Sequence, residues 1–287
     1  MIKKIIYTFI LCCFSLSTFA VTPQQMRFHC DKDTLKINAL LHKGKSSKIM
    51  QAEKLSIFFA KELMGTPYVA HTLEADKEYL TINIDELDCT TFVETLIALT
   101  KTTLSGRQSW RDFANNLENI RYRRGDMGDY SSRLHYMSDW IMDNTNRGNI
   151  KELTSSFPRS SFEIKSINFM SEHRNLYSAL KEDDIYNKIK NIEIGYRSHK
   201  CPILKKNYLI YKDIKKCLEE GYIVMLTTKV DGLDVSHLGI ITIVDGEPFL
   251  LHASSIGNKV MVGPDSLQDM LRRSKDNTGI RIIRITE

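Results

Sequence analysis

Asp88-Cys89-Thr90-Thr91-Phe92-Val93-Glu94-Thr95-Leu96 is the stretch from which the fold can be read outward. Asp88 is a good helix N-cap, and Thr91-x-x-Glu94 adds further helix-start character. Phe92, Val93, Leu96, Ile97 and Leu99 would bury one face, so a helix is predicted from Asp88 to about Leu99. Cys89 falls in its first turn. Unpaired N–H groups and the helix dipole favour an anion there, which predicts a thiol with a lowered pKa and a nucleophilic thiolate. Such a cysteine needs an imidazole to take its proton and a third polar group to fix the ring. Without them, a buried structural cysteine is the better explanation of the motif.

The base is sought among eight histidines. His29, His42, His71, His173 and His199 stand in polar, loop-like contexts. His237 opens the β-branched run Ser236-His237-Leu238-Gly239-Ile240-Ile241-Thr242-Ile243-Val244, and His252 lies in Phe249-Leu250-Leu251-His252-Ala253-Ser254. Asp245-Gly246 between the two runs is a hairpin signal. Strands joined this way are neighbours, so both imidazoles can share one face. No Gly-x-Ser-x-Gly occurs, which removes the usual serine alternative.

Further helices are predicted over Ser47–Leu63, where Ile49, Ala52, Leu55, Phe59 and Leu63 recur at helical spacing, over Ser109–Leu117, and over Ser131 to about Asn144. The stretch from Arg147 to Asn207 is polar, with helical pieces near Met170–Lys181 and Asp184–Ile192. Short apolar, β-branched strands follow at Tyr222–Thr228, Leu238–Val244, Pro248–Ala253 and Gly279–Ile285, with a helix over Asp265–Arg273. Helices come first and an antiparallel sheet comes late, so the fold class expected is α+β.

The 287 residues are 42% hydrophobic and 26% charged, an ordinary globular composition without repeats or a long linker. Net charge is +5, or +3 with Lys3 and Lys4 left aside, too little and too scattered for a nucleic-acid footprint. Met1-Ile2-Lys3-Lys4, the apolar Ile5–Phe19 and the small residues around Ala20 read as a cleaved secretory signal over residues 1–20. The mature chain from about Val21 is expected to be secreted or periplasmic, with no stable membrane insertion. Cys30, Cys89, Cys201 and Cys217 survive cleavage. Outside the cytosol they invite disulfides, with Cys201 and Cys217 one pairing open to them. No CxxC pair is present, which argues against a finger-type zinc site.

The ordered set Gly65-Thr66-Pro67-Tyr68, Asp88-Cys89-Thr90-Thr91-Phe92-Val93, His237-Leu238-Gly239-Ile240 and Leu251-His252-Ala253-Ser254 resembles the NlpC-type, papain-like cell-wall cysteine hydrolases. Arg121-Tyr122-Arg123 and Ser132-Arg133-Leu134-His135-Tyr136 look like the N-acetylmuramoyl-L-alanine amidase-like subgroup. The resemblance runs from about residue 47 to the end. It implies that Cys89 is the nucleophile, His237 the general base and His252 the orienting residue. It also implies that Tyr68 lines the site and that no cofactor or metal is needed. Two positions depart from the usual pattern: Thr90-Thr91 where Ser-Gly is common, and Gly221-Tyr222 where Gly-Asp is common. The 148 positions from Cys89 to His237 imply a large, mostly helical insertion, about 103–207, within a single domain over 21–287.

Within that insertion, Arg133 and Tyr136 are candidates for binding the stem peptide or the muramoyl group. Bidentate Arg suits carboxylates, and aromatic faces suit sugars. The expected partner is a peptidoglycan fragment, cut at the N-acetylmuramoyl-L-alanine amide. The rival readings are an endopeptidase acting on the D-glutamyl–diamino acid bond of the stem, a non-catalytic wall-binding module, and a zinc site built from Cys89, His237 and His252.

Overall fold

The computed structural model describes residues 21–287, so the signal expected over residues 1–20 lies outside the described residues. The helices are α1 (Asp33–Ser46), α2 (Ala52–Glu62), α3 (Cys89–Leu104), α4 (Trp110–Arg121), α5 (Met137–Asn146), α6 (Phe169–Glu172), α7 (Asp183–Ile194), α8 (Lys212–Cys217) and α9 (Leu267–Arg273). The strands are β1 (Met26–Phe28), β2 (Leu80–Ile82), β3 (Ile150–Glu152), β4 (Ser161–Lys165), β5 (His199–Lys205), β6 (Ile223–Thr228), β7 (Val235–Val244), β8 (Glu247–Ser254), β9 (Lys259–Ser266) and β10 (Asn277–Ile285).

An eight-stranded antiparallel sheet runs β4-β5-β10-β6-β7-β8-β9, with β3 pairing β10 as well. β1 and β2 form a separate parallel pair. The chain is therefore α+β, as its element order suggested. The hairpin at Asp245-Gly246 forms with φ of 51° and 80°, the left-handed pair a two-residue turn requires. It fixes the register that sets Ile240 against Leu251.

α3 lies on one face of this sheet. Phe92, Leu96 and Ile97 pack with Met225, Leu238, Ile240, Leu251 and Ala253 in the largest apolar cluster. Each fully buried side chain of this kind contributes roughly 1.5–3 kcal/mol. The other face holds Ile241, Leu250 and Ile282 under Leu267 and Leu271 of α9. Sheet residues thus alternate between two cores. No helix among the described residues is long and apolar enough to cross a membrane.

Several boundaries differ from the sequence reading. The helix expected from Ser47 begins at Ala52, because Lys48 takes φ 56° and Gln51 is extended. The helix expected from Ser131 begins at Met137. Asp129 caps a short turn at Tyr130–Ser132, and Arg133 then runs extended, bridging Tyr122. The insertion is mainly helical, but it also supplies β3, β4 and β5 to the sheet, with β3 and β5 both on β10. All four cysteines among the described residues are free thiols. Cys201 sits in β5 opposite Glu163, while Cys217 ends α8 beside a different core, so the bridge between them does not form.

Candidate active site

Asp88 accepts the Thr91 N–H at 2.7 Å, and the Thr91 hydroxyl accepts the Asp88 N–H at 2.9 Å. This reciprocal cap fixes where α3 starts and so where Cys89 stands. Being in the first turn, the Cys89 N–H lies outside the intrahelical ladder. The loop before it is tied down from both sides. Tyr68 N–H donates to Asn258 O at 3.0 Å, and Tyr68 bridges Leu87. Tyr68 is thereby held close to Asp88 and Cys89, and burial together with their charges raises its pKa. It stands as a neutral hydroxyl beside the thiol.

The two histidines meet. His237 Nε2 and His252 Nδ1 are 2.5 Å apart, with the rings nearly perpendicular at 84° and centroids 4.8 Å apart. Gly239 makes room for them: a Cβ there would lie 2.8 Å from the His252 Cβ and 2.7 Å from Leu251 O. Leu238 and Ala253, their neighbours in sequence, bury into the core under α3.

Cys89 reaches the sheet at the backbone of Leu238, the residue after His237. The Leu238 N–H and the Thr90 hydroxyl lie near enough to its sulfur to favour the thiolate. No hydrogen bond joins the thiol to either imidazole. Sites without substrate are often loose in this way and tighten on binding.

The thiol is not acidified. Burial pushes it up to about 12, and the Asp88 carboxylate beside it adds to the push. The Leu238 and Cys89 N–H groups and the Thr90 hydroxyl oppose this and lose. A helix terminus contributes only about 0.3–1 kcal/mol, whereas desolvation moves a buried group by several pK units. Burial and its partner His252 bring His237 down to about 3, and burial brings His252 to about 4. At neutral pH all three groups rest uncharged, contrary to the thiolate expected of a helix start.

A pH dependence follows. Only the thiolate alkylates, and with a raised pKa its fraction grows about tenfold per pH unit through neutrality. Iodoacetamide labelling of Cys89, resolved from Cys30, Cys201 and Cys217 by peptide mass mapping, is expected to be slower than that of an ordinary thiol. It should rise steadily from pH 6 to 9. A plateau between pH 5 and 8 would show a resting thiolate–imidazolium pair instead.

The two insertion candidates lie elsewhere. The Arg133 guanidinium is taken up by Glu78 at 2.7 Å and Glu74 at 3.0 Å. It borders a cavity of about 390 Å³ with Tyr130 and Glu182, but its fork is already filled by carboxylates, so it pins the loop 73–78. Tyr136 is buried, its hydroxyl donating to Glu193 and accepting the Met170 N–H, both at 2.7 Å. Neither side chain is free to receive a ligand as the sequence suggested. What the sequence did not reveal is the Leu238 N–H at the thiol, a backbone group with no residue signature.

The zinc arrangement is not met: among the described residues, only Cys30, Asp33 and Asp85 bring three ligand atoms within 4.8 Å of one another. That cluster carries its own counter-charge, since Lys36 binds Asp85 and the Cys30 N–H binds Asp33.

The profile described as N-acetylmuramoyl-L-alanine amidase-like (AmiA-like) matches residues 58–280, from α2 into β10. The chain belongs to the AmiA-like family. A Bacteroides uniformis ATCC 8492 crystal structure named an N-acetylmuramoyl-L-alanine amidase is 39% identical, with TM-score 0.78. The match covers 82% of this AmiA-like chain and 99% of that one. A Bacteroides fragilis structure, described provisionally as a xylanase, is also 39% identical, with TM-score 0.75 over 79% of this chain and 99% of that one. A Legionella pneumophila protein shares the fold at 20% identity, with TM-score 0.70 over 89% and 95% of the two chains. No match was found among curated proteins.

Proposed function

We propose that this AmiA-like protein is a secreted or periplasmic cysteine amidase of the NlpC-type, papain-like class. It would cut the amide between the lactyl group of N-acetylmuramic acid and L-alanine in muropeptides. The observation that carries the reading is the His237–His252 contact at 2.5 Å, on a hairpin whose Leu238 and Ala253 share a core with Cys89 at the start of α3. Family membership supplies the amide and the wall fragment.

The chemistry runs from a neutral site. For His237 to act as base through Nδ1, its Nε2–H donates to His252 Nδ1, and His252 carries its own proton on Nε2. His252 thus selects the tautomer of His237 and holds its ring. As the substrate carbonyl arrives, Cys89 gives its proton to His237 Nδ1 while its sulfur attacks carbon. The Cys89 N–H faces the developing oxyanion, with the Tyr68 hydroxyl beside it. His237 returns the proton to the leaving amine of L-alanine, and the acyl group stays on sulfur. Water, deprotonated by the same imidazole, releases the N-acetylmuramic acid carboxyl group and the free thiol.

A glycosidase would need two carboxyl groups flanking the scissile bond. The acid nearest Cys89 in sequence, Asp88, is spent on the helix cap, which favours the amidase over a xylanase.

The experiment is mass spectrometry of purified muropeptides incubated with the mature protein. Release of a peptide beginning with L-alanine, together with its free sugar, is the expected result. A cut after D-glutamate would keep the nucleophile and replace the specificity. Unchanged muropeptides would leave a wall-binding module.

A further inference from the structure

We propose that cleavage of the signal before Val21 completes the fold: the new α-ammonium of Val21 becomes the counter-ion of Glu118, a buried carboxylate on α4. The inference rests on the reading of residues 1–20 as a cleaved signal. Cleavage adds water across the Ala20–Val21 amide. Ala20 leaves with the carboxylate, and the neutral N–H of Val21 becomes an ammonium.

Glu118 is only 6% exposed. Its Oε1 accepts the Met127 N–H at 3.2 Å. The Val21 N–H lies near enough to the same carboxyl to favour its ionised form. Burial opposes this most strongly, the Asp126 carboxylate adds to the opposition, and the pKa is raised. Two amide donors thus stand against burial and a second negative charge. Among the described residues, no lysine or arginine is one of the forces on Glu118. Carboxylates placed this deep are normally paired with a cation.

Val21 is placed by its own side chain and by the residues that follow it. The side chain is 8% exposed and belongs to the apolar cluster that packs α3 on the sheet. Gln25 Oε1 accepts the Thr22 N–H at 3.0 Å and the Thr22 hydroxyl at 2.9 Å, which closes a tight turn just after Val21. Met26 then enters β1 beside β2. The Val21 nitrogen is therefore positioned at Glu118 by contacts that do not involve its charge. Cleavage changes that charge, and a hydrogen bond between two ions is roughly twice as strong as one between neutral groups. Arg121, three residues after Glu118 on α4, holds Glu94 of α3. The mature N-terminus is thus fastened to the helix that supports α3.

The test compares a chain that begins at Val21 with one that carries Gly-Ser ahead of it, each with Glu118 and with Glu118→Gln. Urea unfolding ranks the four stabilities. The Val21 chain is expected to be the more stable. Glu118→Gln should change its unfolding constant at least about tenfold more than it changes that of the extended chain. Competitive acetylation across pH, read by mass on the N-terminal peptide, should place the α-amine at least about one pH unit above its ordinary range of about 7.7–8.0. In Glu118→Gln it should return to that range. If Glu118→Gln fails to fold, the two unsubstituted chains and the acetylation profile still decide the matter. The intact mass of the secreted protein should correspond to a start at Val21. None of these measurements uses hydrolysis, so they stand apart from the amidase reading. A secreted chain that begins elsewhere, equal midpoints for the two unsubstituted chains, or an α-amine in its ordinary range would each overturn the proposal. Equal losses from Glu118→Gln in both chains would reduce Glu118 to a partner of the Met127 N–H and overturn it as well.

Discussion

Cys89→Ala is expected to lower the rate of muropeptide amide hydrolysis by at least about 10⁴-fold, with substrate affinity and melting temperature nearly unchanged. The sulfur is the atom that would carry the acyl group, and Cys89 is only partly buried as a residue, so removing one atom costs little stability. His237→Ala should cost about as much, since a thiol raised to about 12 has no thiolate to spare without a base. His252→Ala should cost less, because in the proposed mechanism it would only orient His237 and select its tautomer through their 2.5 Å contact. The double variant Cys89→Ala/His237→Ala should be no slower than either single one, as expected of groups that act as a unit. Single-turnover rates on a defined muropeptide decide the matter. Additive losses, or a Cys89→Ala protein within tenfold of the wild type, would remove Cys89 from the chemistry.

How much of this was legible in the sequence depends on how each segment meets its surroundings. β6, β7, β8 and β10 could be read because both their faces are buried, which demands β-branched runs. β4 and β5 escaped because they form the outer part of the sheet, with polar residues and Pro202 among them, as edge strands tolerate. β9 escaped for the same reason, carrying Gly263, Pro264 and Asp265 at the opposite edge. α1 was missed because its buried stripe is narrow: Ile37 and Leu41 point inward among lysines and other polar residues.

The site was legible where it depends on residue type at fixed spacing. The hairpin at Asp245-Gly246 brings His237 and His252 together as its turn chemistry required. The cap at Asp88 was visible for the same reason. The charge state of Cys89 was not, because desolvation depends on what packs over the thiol, and periodicity does not report that. Arg133 and Tyr136 misled for a related cause. An arginine beside aromatics reads as a binding wall, but its partners Glu74 and Glu78 lie more than fifty residues away in sequence.

Arg121→Met is expected to destabilise the protein by about 3–5 kcal/mol, the largest stability loss foreseen for a single polar side chain here. Arg121 and Glu94 are each only 3% exposed and meet at 2.7 Å. Arg121 also donates to Thr81 O of β2 at 2.8 Å. Burial raises the Glu94 pKa, and Arg121 is the strongest force holding it down. Remove the guanidinium, and a carboxylate is left in the core beside an unmet carbonyl. Glu94 follows Cys89 by little more than one turn of α3, so this pair also anchors the helix start against β2 and α4. Replacing both partners with apolar residues, Arg121→Met/Glu94→Leu, should recover more than half of the loss, because the desolvation cost disappears with the charges. Urea unfolding of the two variants measures this directly through the midpoint at constant slope. If the double variant were no more stable than Arg121→Met, the loss would come from packing rather than from the stranded charge. A single-variant loss below about 1 kcal/mol would show that the pair is not holding α3 in place.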